Sequence, residues 1–370
     1  MELEGALRIG IGVAGGRVAC VGITSTRTDA ARSLLQGRLR REIRAALPRL
    51  FSVCARSQAA AGELACAVAA GEPASADVLA RCRAEVSAEV VREHAWQALL
   101  EWPRRIGEQP AADAIAAARS AAATRNDGAR LSDGDGQAVA MATFGVGADE
   151  WLSARAPGDL DRWIDDGRTA AARFVRRMRD AEAAHDDDAP RRDASVALLA
   201  GGDRNADMAT LWSACEADPD FTRRPTCHGR PAETGALARL QSDPLIGELT
   251  RNRAGRVVAR FVARLIELAR FLTGRGSAAV GVQALPAGGA AAWVENARGL
   301  LVHQVRLDGE RAVTYRIVAP TEWNFHPDGA VTAALVGTPA ADREMLQQRA
   351  ARTAHSLDPC VACSVEIEHA

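Results

Sequence analysis

The amino-acid sequence predicts a protein with both helices and strands, because it contains strand patterns near its start and toward its end and helical patterns between them. Apolar residues alternate around glycines over residues 6–24, which is typical of a β-hairpin. Helical spacing of apolar residues occurs within 28–120 and again over Ile246–Thr273, whose arginines we expect on the solvent-facing side. Three strand-like runs follow, at Ala279–Trp293, Leu300–Leu307 and Arg311–Val318.

The other segments are assigned in chain order. Asp29–Leu47 and Ala76–Glu101 carry apolar residues on one helical face, so each predicts a helix. Residues 121–195 are rich in Ala, Asp and Gly and contain no motif that we can match. A short strand is expected at Val196–Leu199 and a helix at Arg343–His355.

Composition and charge exclude several classes of protein. The 370 residues suffice for a large hydrophobic core, and the 48% of hydrophobic residues is typical of a globular protein. A net charge of −1 implies neither a nucleic-acid partner nor a membrane-surface partner. The sequence has no run of about 18 apolar residues that would predict a transmembrane helix. Its acidic first residues do not resemble a secretory signal, so we expect a cytoplasmic protein.

Two thiols stand close together near the end of the sequence. Cys360 and Cys363 have CxxC spacing and follow Pro359, a residue that can begin a helix. On a helix, positions i and i+3 share one face, so the two thiols would hold one metal together. The same spacing also suits a redox pair or arises by chance. Most of the other cysteines are expected to be small buried residues.

Five segments of the chain together resemble the large subunit of nickel–iron hydrogenases, in the same order and at nearly the same spacing. The family motifs that they resemble are R-I-E-G-H-L-R-I, R-x-C-G-V-C, G-x-P-x-E-V-G-P-L-A-R, E-A-P-R-G with V-V-P-T-T-W-N, and D-P-C-x-x-C. The corresponding segments are 3–9, Leu34–Arg38 with Pro48–Cys54, Gly229–Arg239, Glu295–Gly299 with Val318–Asn324, and Asp358–Cys363. Only the middle of the chain, about 60–220, carries no match.

The resemblance implies a metal site with one ligand missing. Catalytic large subunits hold nickel with four cysteines, two of which also bridge to an iron that carries cyanide and carbon monoxide. Cys54 and Cys363 match the bridging thiolates, and Cys360 matches a terminal nickel ligand. Phe51 stands where the family has the fourth cysteine, and a phenyl ring offers no lone pair to nickel. We therefore expect transiently bound iron with its cyanide and carbon monoxide ligands, and no nickel.

Residues around the metal follow from the same resemblance. The family donates hydrogen bonds to the cyanides from an arginine and a hydroxyl residue, and Arg298 and Thr321 match these positions. A guanidinium and a hydroxyl suit an anionic iron dicyanide, because charge-assisted hydrogen bonds are strong. Glu4 matches the family's proton-relay glutamate, and Asp358 matches the aspartate before Pro-Cys. Each of these two carboxylates is either functional or structural.

Two further positions concern histidines. Gln58 replaces a family histidine that lies four residues after the cysteine matched by Cys54, which predicts the loss of an interaction around the metal. His303 lies in a strand-like run, and we expect it to face a neighbouring strand rather than a metal.

A second metal site of the family is expected to be dismantled. Arg32 stands at its carboxylate position, and Glu366 stands where the family has a histidine. We predict an ion pair between Arg32 and Glu366 that replaces the divalent metal. Such a pair would tie the C-terminal segment to the N-terminal half.

The resemblance implies a non-catalytic relative of the large subunit, similar to the hydrogenase expression/formation proteins of the HupK type. It would act as an assembly scaffold that takes the iron unit from maturation chaperones and passes it to the true hydrogenase large subunit. No catalytic residue is expected in that case. Two alternatives stay open: a metal-free interaction protein that mimics the large subunit, and a divergent hydrogenase with three cysteines.

The resemblance also implies the fold. It is one α+β domain of the hydrogenase large-subunit type over residues 1–370, with a variable segment near 121–195. A helical body would lie between N-terminal and C-terminal β segments. The two metal-binding segments would come from opposite ends of the chain and meet at its centre.

Overall fold

Strands form three separate sheets in the part of the chain that the structure describes. The computed structural model describes residues 5–26, 31–51, 53–122, 132–154, 156–184, 195–199, 204–251 and 255–369. Its strands are β1 (Ala6–Ala14), β2 (Arg17–Ser25), β3 (Ala197–Leu198), β4 (Ala232–Glu233), β5 (Val280–Leu285), β6 (Gly289–Asn296), β7 (Gly299–Asp308), β8 (Arg311–Val318) and β9 (Ala362–His369). They are ordered β2-β1-β9, β3-β4 and β5-β6-β7-β8.

Helices account for most of the other described residues. They are α1 (Arg40–Leu50), α2 (Ala55–Ala69), α3 (Ala76–Trp96), α4 (Trp102–Arg105), α5 (Ala112–Ala122), α6 (Asp133–Phe144), α7 (Ala148–Ser153), α8 (Pro157–Asp166), α9 (Ala170–Ala183), α10 (Arg204–Ala217), α11 (Ala236–Arg239), α12 (Pro244–Arg251), α13 (Gly255–Leu272), α14 (Pro320–Asn324), α15 (Ala330–Leu335) and α16 (Arg343–Ser356). Within the described ranges, no helix has both the length and the apolar character needed to cross a membrane.

Internal contacts divide the chain into two compact units. The first unit comprises Met1–Leu79, Asp187–Arg239 and Val280–Ala370, and it contains every strand of the described residues. The second unit comprises Ala80–Asp186 and Leu240–Ala279, and its described part is helical. The single domain over residues 1–370 stays a prediction.

The three-stranded sheet joins the two ends of the first unit. The predicted hairpin is confirmed, because β1 and β2 pair antiparallel around a turn at Gly15–Gly16. Strand β9 pairs with β1 in parallel, with Cys363 opposite Leu7. Pro359 therefore does not begin a helix here. The CxxC segment instead enters a strand, whose backbone groups are satisfied by the ladder with β1.

One apolar cluster lies on this sheet. It combines side chains of β1 and β9 with those of α15 and α16. Its buried members include Leu7, Ile9, Ile11, Val331, Leu335, Leu346, Ala350 and Ile367. Val361, Cys363 and Val365 are partly buried and pack against it. The alternation along β9 thus places Cys363 on the face that is turned toward the core.

The four-stranded sheet corrects one strand prediction. Residues 279–293, predicted as a single strand, form β5 and the start of β6, joined by a turn in which Ala287 has a φ of 57°. The predicted strands over Leu300–Leu307 and Arg311–Val318 are confirmed as β7 and β8. Helix α2 lies against β5, β6 and β7, so this sheet is covered by the helix that follows Cys54.

Helix α2 lies close to its neighbours at Gly62. A Cβ atom at this position would lie 2.1 Å from Cδ1 of Leu47 and 2.9 Å from the Tyr315 hydroxyl. Leu47 and Tyr315 are fully buried, so neither has free space to move into. Glycine at position 62 therefore sets the distance between α1, α2 and β8.

The helical unit contains one departure from the sequence-based expectations. The described residues of the predicted helix over Ile246–Thr273 lie in α12 and α13, and the arginines expected at the solvent are buried on α13. Arg256, Arg260 and Arg264 follow one another every four residues, and Glu267 is buried after them. Arginine counts as polar in a hydropathy pattern, although its long apolar stem and a charge partner allow burial.

The segment without a motif is also helical where it is described. Within 132–184 the chain forms α6, α7, α8 and α9. Its high Ala content favours helix, but Gly and Asp obscure the apolar period in the sequence.

We expect Gly62→Ala to destabilise the first unit. Alanine normally favours a helix over glycine by about 1 kcal/mol, but here the added methyl group would clash with Leu47 and Tyr315. Overpacking of this kind costs about 1–3 kcal/mol, measurable by urea unfolding. Gly158→Ala is the matched control, because a Cβ on this α8 glycine meets no atom within 4 Å. Equal stability changes in the two variants would contradict the packing argument.

Candidate functional site

Arg298 is held by a tight turn between β6 and β7. The Asn296 side-chain oxygen accepts hydrogen bonds from the backbone N–H groups of Arg298 (2.9 Å) and Gly299 (3.0 Å). Gly299 has a φ of 135°, and a Cβ there would lie 2.4 Å from Cγ2 of Thr234. Only glycine fits this position, because both the backbone conformation and the space exclude a side chain. The turn explains why Arg and Gly are adjacent in this motif.

Two other motif segments contact the same turn. The Asn324 side-chain oxygen accepts a hydrogen bond from the Thr234 N–H (2.9 Å), and its amide donates to the Arg298 carbonyl (3.3 Å). The Thr234 hydroxyl accepts a hydrogen bond from the Leu300 N–H (2.9 Å). Segments around residues 234, 298 and 324 are thus joined by buried hydrogen bonds. The structure brings together three segments that the resemblance identified separately.

The C-terminal motif completes this arrangement. Thr321 Oγ1 lies 3.0 Å from Sγ of Cys360, and Arg298 Nε lies 3.7 Å from a carboxylate oxygen of Asp358. Arg298, Thr321 and Asp358 are at most 8% exposed, and Cys360 is half-buried. These four residues form what we call the C-terminal cluster. It contains a cation, a hydroxyl and a thiol that the sequence had placed in one site.

Asp358 has a particular backbone conformation. Its φ is 55°, in the left-handed region that residues other than glycine rarely adopt. The residue lies between the end of α16 and Pro359, where the chain turns from the helix into β9. The buried carboxylate beside Arg298 compensates the guanidinium charge. Asp358 therefore has a structural role, whereas a functional one stays a prediction.

Cys363 has different surroundings from Cys360. It lies in β9 and packs against the apolar cluster of the three-stranded sheet. Burial raises the pKa of the Cys363 thiol above its ordinary value, which favours the neutral thiol. Among the described residues, no group of three or more His, Cys, Asp or Glu side chains is arranged to hold a metal ion. The metal ligand set of Cys54, Cys360 and Cys363 stays a prediction.

Cys54 is the N-cap residue of helix α2, and Phe51 is the C-cap residue of helix α1. The Gln58 side-chain amide donates a hydrogen bond to Sγ of Cys54 at 3.6 Å. The expected loss of an interaction at position 58 is therefore wrong for this cysteine, because glutamine also carries an N–H donor. The four-residue spacing on one helix face was the signal that could have revealed this contact.

Gln58 connects Cys54 to two buried residues of the four-stranded sheet. Its side-chain oxygen lies 2.8 Å from Nε2 of His303, and Nδ1 of His303 lies 2.8 Å from the Tyr315 hydroxyl. His303 is in β7 and faces Tyr315 of the adjacent β8, so its expected position against a neighbouring strand is confirmed. We call Cys54, Gln58, His303 and Tyr315 the Cys54 chain. The sequence contained no signal that joins residue 58 to residue 303.

The predicted replacement of the second metal site is only partly described. The Glu366 carboxylate lies 3.2 Å from the guanidinium of Arg8, and both side chains are about half exposed or more. The side chain of Arg32 and the residue Glu4 lie outside what the structure describes. The Arg32–Glu366 pair and the role of Glu4 therefore stay predictions. The described link between the C-terminal segment and the N-terminal hairpin is the β1–β9 ladder.

Comparison with known proteins assigns the chain to a family. It is 31% identical to the hydrogenase expression/formation protein HoxV of Cupriavidus necator, over 93% of this chain and 92% of that protein. It is also 31% identical to the hydrogenase expression/formation protein HupK of Rhizobium leguminosarum bv. viciae, over 100% of this chain and 98% of that protein. The chain belongs to the family of hydrogenase expression/formation proteins. The resemblance drawn from the five motifs is confirmed.

The fold of this hydrogenase expression/formation family member is confirmed as well. The nickel-dependent hydrogenase family matches residues 279–366, which include both β7 and the CxxC segment. The nickel–iron–selenium hydrogenase of Desulfovibrio vulgaris Hildenborough superimposes with a TM-score of 0.60 and 18% identity. The superposition covers 94% of each chain. The predicted α+β fold of the hydrogenase large-subunit type is therefore correct.

Burial of His303 predicts a pH dependence of stability. Burial lowers the pKa of His303 from 6.5 to about 3, so the folded state keeps the imidazole neutral while the unfolded chain binds a proton. This contribution to stability is complete above about pH 6.5 and is lost as the pH falls toward 3. The slope reaches about 1.4 kcal/mol per pH unit.

We expect the free energy of unfolding of His303→Gln to depend less steeply on pH between about 6.5 and 3 than that of the wild type. Urea unfolding at a series of pH values measures the two slopes. His228→Asn is the control, because His228 is exposed and asparagine tolerates its positive φ of 50°. Identical slopes in wild type and His303→Gln would show that His303 is not buried as a neutral imidazole.

Proposed function

We propose that this protein is a non-catalytic scaffold of hydrogenase maturation. It holds an iron that carries cyanide and carbon monoxide, and it passes this iron unit to the true hydrogenase large subunit. The iron unit is cargo rather than a resident cofactor. Its partners are the large subunit and the maturation chaperones that build the iron centre, and it needs no nickel.

The family supports the coarser part of this proposal. HoxV and HupK, at 31% identity over nearly the whole chain, are named for the expression or formation of hydrogenase rather than for hydrogen turnover. A shared large-subunit fold also explains how a scaffold could offer the iron unit an environment like its final one.

The observation that carries the proposal is the C-terminal cluster. Thr321, expected to donate a hydrogen bond to cyanide, lies 3.0 Å from the Cys360 sulfur, and Arg298, the other expected donor, lies 3.7 Å from Asp358 of the same C-terminal motif. A guanidinium and a hydroxyl suit an anionic iron dicyanide, and a thiol beside them suits the metal. Asp358 compensates the charge of Arg298. Binding of the iron dicyanide would therefore replace one anion, the Asp358 carboxylate, by another at the guanidinium.

The missing fourth thiol supports transfer rather than turnover. Phe51 follows α1 at the position of the first nickel cysteine, three residues before Cys54. Nickel in this geometry requires four thiolates, whereas iron already carries strong diatomic ligands and needs fewer protein ligands. An incomplete thiolate set allows the iron unit to leave again.

The surroundings of Cys363 favour a second candidate, a metal-free interaction protein that mimics the large subunit. Its thiol packs against apolar side chains, and burial raises its pKa, so binding of iron would require deprotonation in an unfavourable environment. In this case the three cysteines serve packing only. The protein would then bind a maturation partner or the small subunit through its large-subunit fold.

Infrared spectroscopy tests the proposal directly. Protein purified without oxygen from cells with active hydrogenase maturation should show cyanide and carbon monoxide stretching bands, with iron and without nickel in elemental analysis. Cys54→Ser or Cys363→Ser should abolish the bands, because each removes an iron-bridging thiolate. Cys20→Ser is the matched control, since Cys20 is an exposed thiol on β2 and should leave the bands unchanged.

Other outcomes separate the alternatives. An iron-free protein without bands, even when the downstream large subunit is deleted, would reject the scaffold. If the triple variant of Cys54, Cys360 and Cys363 to Ser also kept maturation and partner binding intact, the interaction protein would be favoured. Bound nickel together with hydrogen oxidation by the isolated protein would instead identify a divergent hydrogenase.

A further inference from the structure

A buried hydrogen-bond chain ends at the sulfur of Cys54. From Tyr315 it runs through His303 and Gln58, with two contacts of 2.8 Å and a final amide-to-sulfur contact of 3.6 Å. Tyr315, His303 and Gln58 are at most 1% exposed. The Cys54 chain connects β8 and β7 to the first turn of α2. Its four members all belong to the first compact unit.

The direction of each hydrogen bond follows from chemistry. The side-chain oxygen of Gln58 can only accept, so Nε2 of His303 carries the proton and donates. Because burial lowers the pKa of His303 to about 3, the ring is neutral, and its Nδ1 is an acceptor. The hydroxyl of Tyr315 must therefore donate to Nδ1. Burial raises the pKa of Tyr315 well above 10, so that hydroxyl keeps its proton.

All three donors thus point toward Cys54. We propose that Tyr315 and His303 are positioning residues that hold the Gln58 amide with its N–H group, rather than its oxygen, against the sulfur of Cys54. An N–H donor stabilises an anionic, metal-binding sulfur. The opposite amide orientation would present an oxygen, which accepts a hydrogen bond only from a neutral thiol. Tyr315 is linked to Cys54 through His303 and Gln58. Its hydroxyl therefore determines whether the Gln58 side chain presents an N–H donor or an oxygen acceptor to the Cys54 sulfur.

The consequence for the iron unit rests on the proposed function. When Cys54 binds iron, the hydrogen bond from Gln58 withdraws electron density from the sulfur and hence from the metal. Removing the donor leaves more density on iron for back-donation into carbon monoxide. The carbon monoxide stretch should then shift to lower wavenumber. The orientation of the Gln58 amide is a property of the protein without cargo and is measurable by itself.

The first experiment measures the tautomer of His303 in cargo-free protein. Nitrogen-15 NMR on protein with labelled histidine distinguishes protonated from unprotonated ring nitrogens, and the signal lost in His303→Gln identifies the residue. We expect the proton on Nε2 in the wild type. In Tyr315→Phe, which removes only the phenolic donor, we expect part or all of the proton to move to Nδ1. A wild-type proton on Nδ1 would overturn the proposal.

The second experiment uses infrared spectra of protein loaded in the cell. Tyr315→Phe and Gln58→Met should each shift the carbon monoxide band to lower wavenumber, with the larger shift in Gln58→Met because it removes the donor itself. Gln304→Met is the matched control. Gln304 is a buried glutamine next to His303 on β7 and therefore points to the opposite face of the sheet. Its band should stay at the wild-type position.

Thermal unfolding of each variant separates a positioning role from loss of fold. A folded Tyr315→Phe protein with an unshifted band and an unchanged His303 tautomer would overturn the proposal. If the wild type itself shows no bands, the scaffold function fails, but the NMR experiment still decides whether the chain points toward Cys54. Failure of the proposed function and failure of this inference are therefore distinguishable.

Discussion

The parallel pairing of β9 with β1 is the constraint on which the rest of the C-terminal cluster depends. It joins residues that are more than 350 positions apart in sequence, with Leu7 opposite Cys363. The chain must turn sharply to enter β9 after α16, and it does so through Asp358 in a left-handed conformation. This turn places the Asp358 carboxylate beside Arg298 and the Cys360 sulfur beside Thr321.

Buried polar groups restrict the other side of the cluster. Asn296, Thr234 and Asn324 satisfy the backbone groups around Arg298, so the guanidinium starts from a rigid turn. A buried cation needs a compensating anion, and Asp358 provides it. Because Arg298 needs a compensating negative charge, an anionic ligand would also be stabilised beside its guanidinium. A rigid turn beside a charged side chain is the kind of preorganised arrangement that the proposed carrier role requires.

Cys54 and Cys363 have different surroundings. Cys54 receives a hydrogen bond from the Gln58 amide, which is part of a buried polar chain. Cys363 lies among apolar residues, which favours the thiol. A carrier that binds iron through one hydrogen-bonded sulfur and one sulfur in apolar surroundings would hold its cargo less firmly than the final enzyme. This difference between the two cysteines supports the proposed role, in which the protein accepts the iron unit and later releases it.

Local patterns predicted much of the fold. The hairpin, the strands β7 and β8 and the helices α3 and α16 follow from apolar periodicity that short segments carry by themselves. Periodicity failed where burial contradicted polarity, as for Arg260 on α13, which is buried at 3% exposure. At the CxxC segment the four residues were compatible with both a helix and a strand, and pairing with β1 decided between them.

By itself, the sequence determined the fold family and the identity of the residues in the C-terminal cluster, because short motifs keep Arg298, Thr321, Asp358 and Cys360 at recognisable spacings. Only the tertiary structure decided which of them touch and which partner Cys54 has. The contact between Gln58 and His303 joins positions 245 residues apart. Such a contact leaves no periodic trace in the sequence, since it arises when α2 packs on the four-stranded sheet and two buried polar groups must satisfy each other.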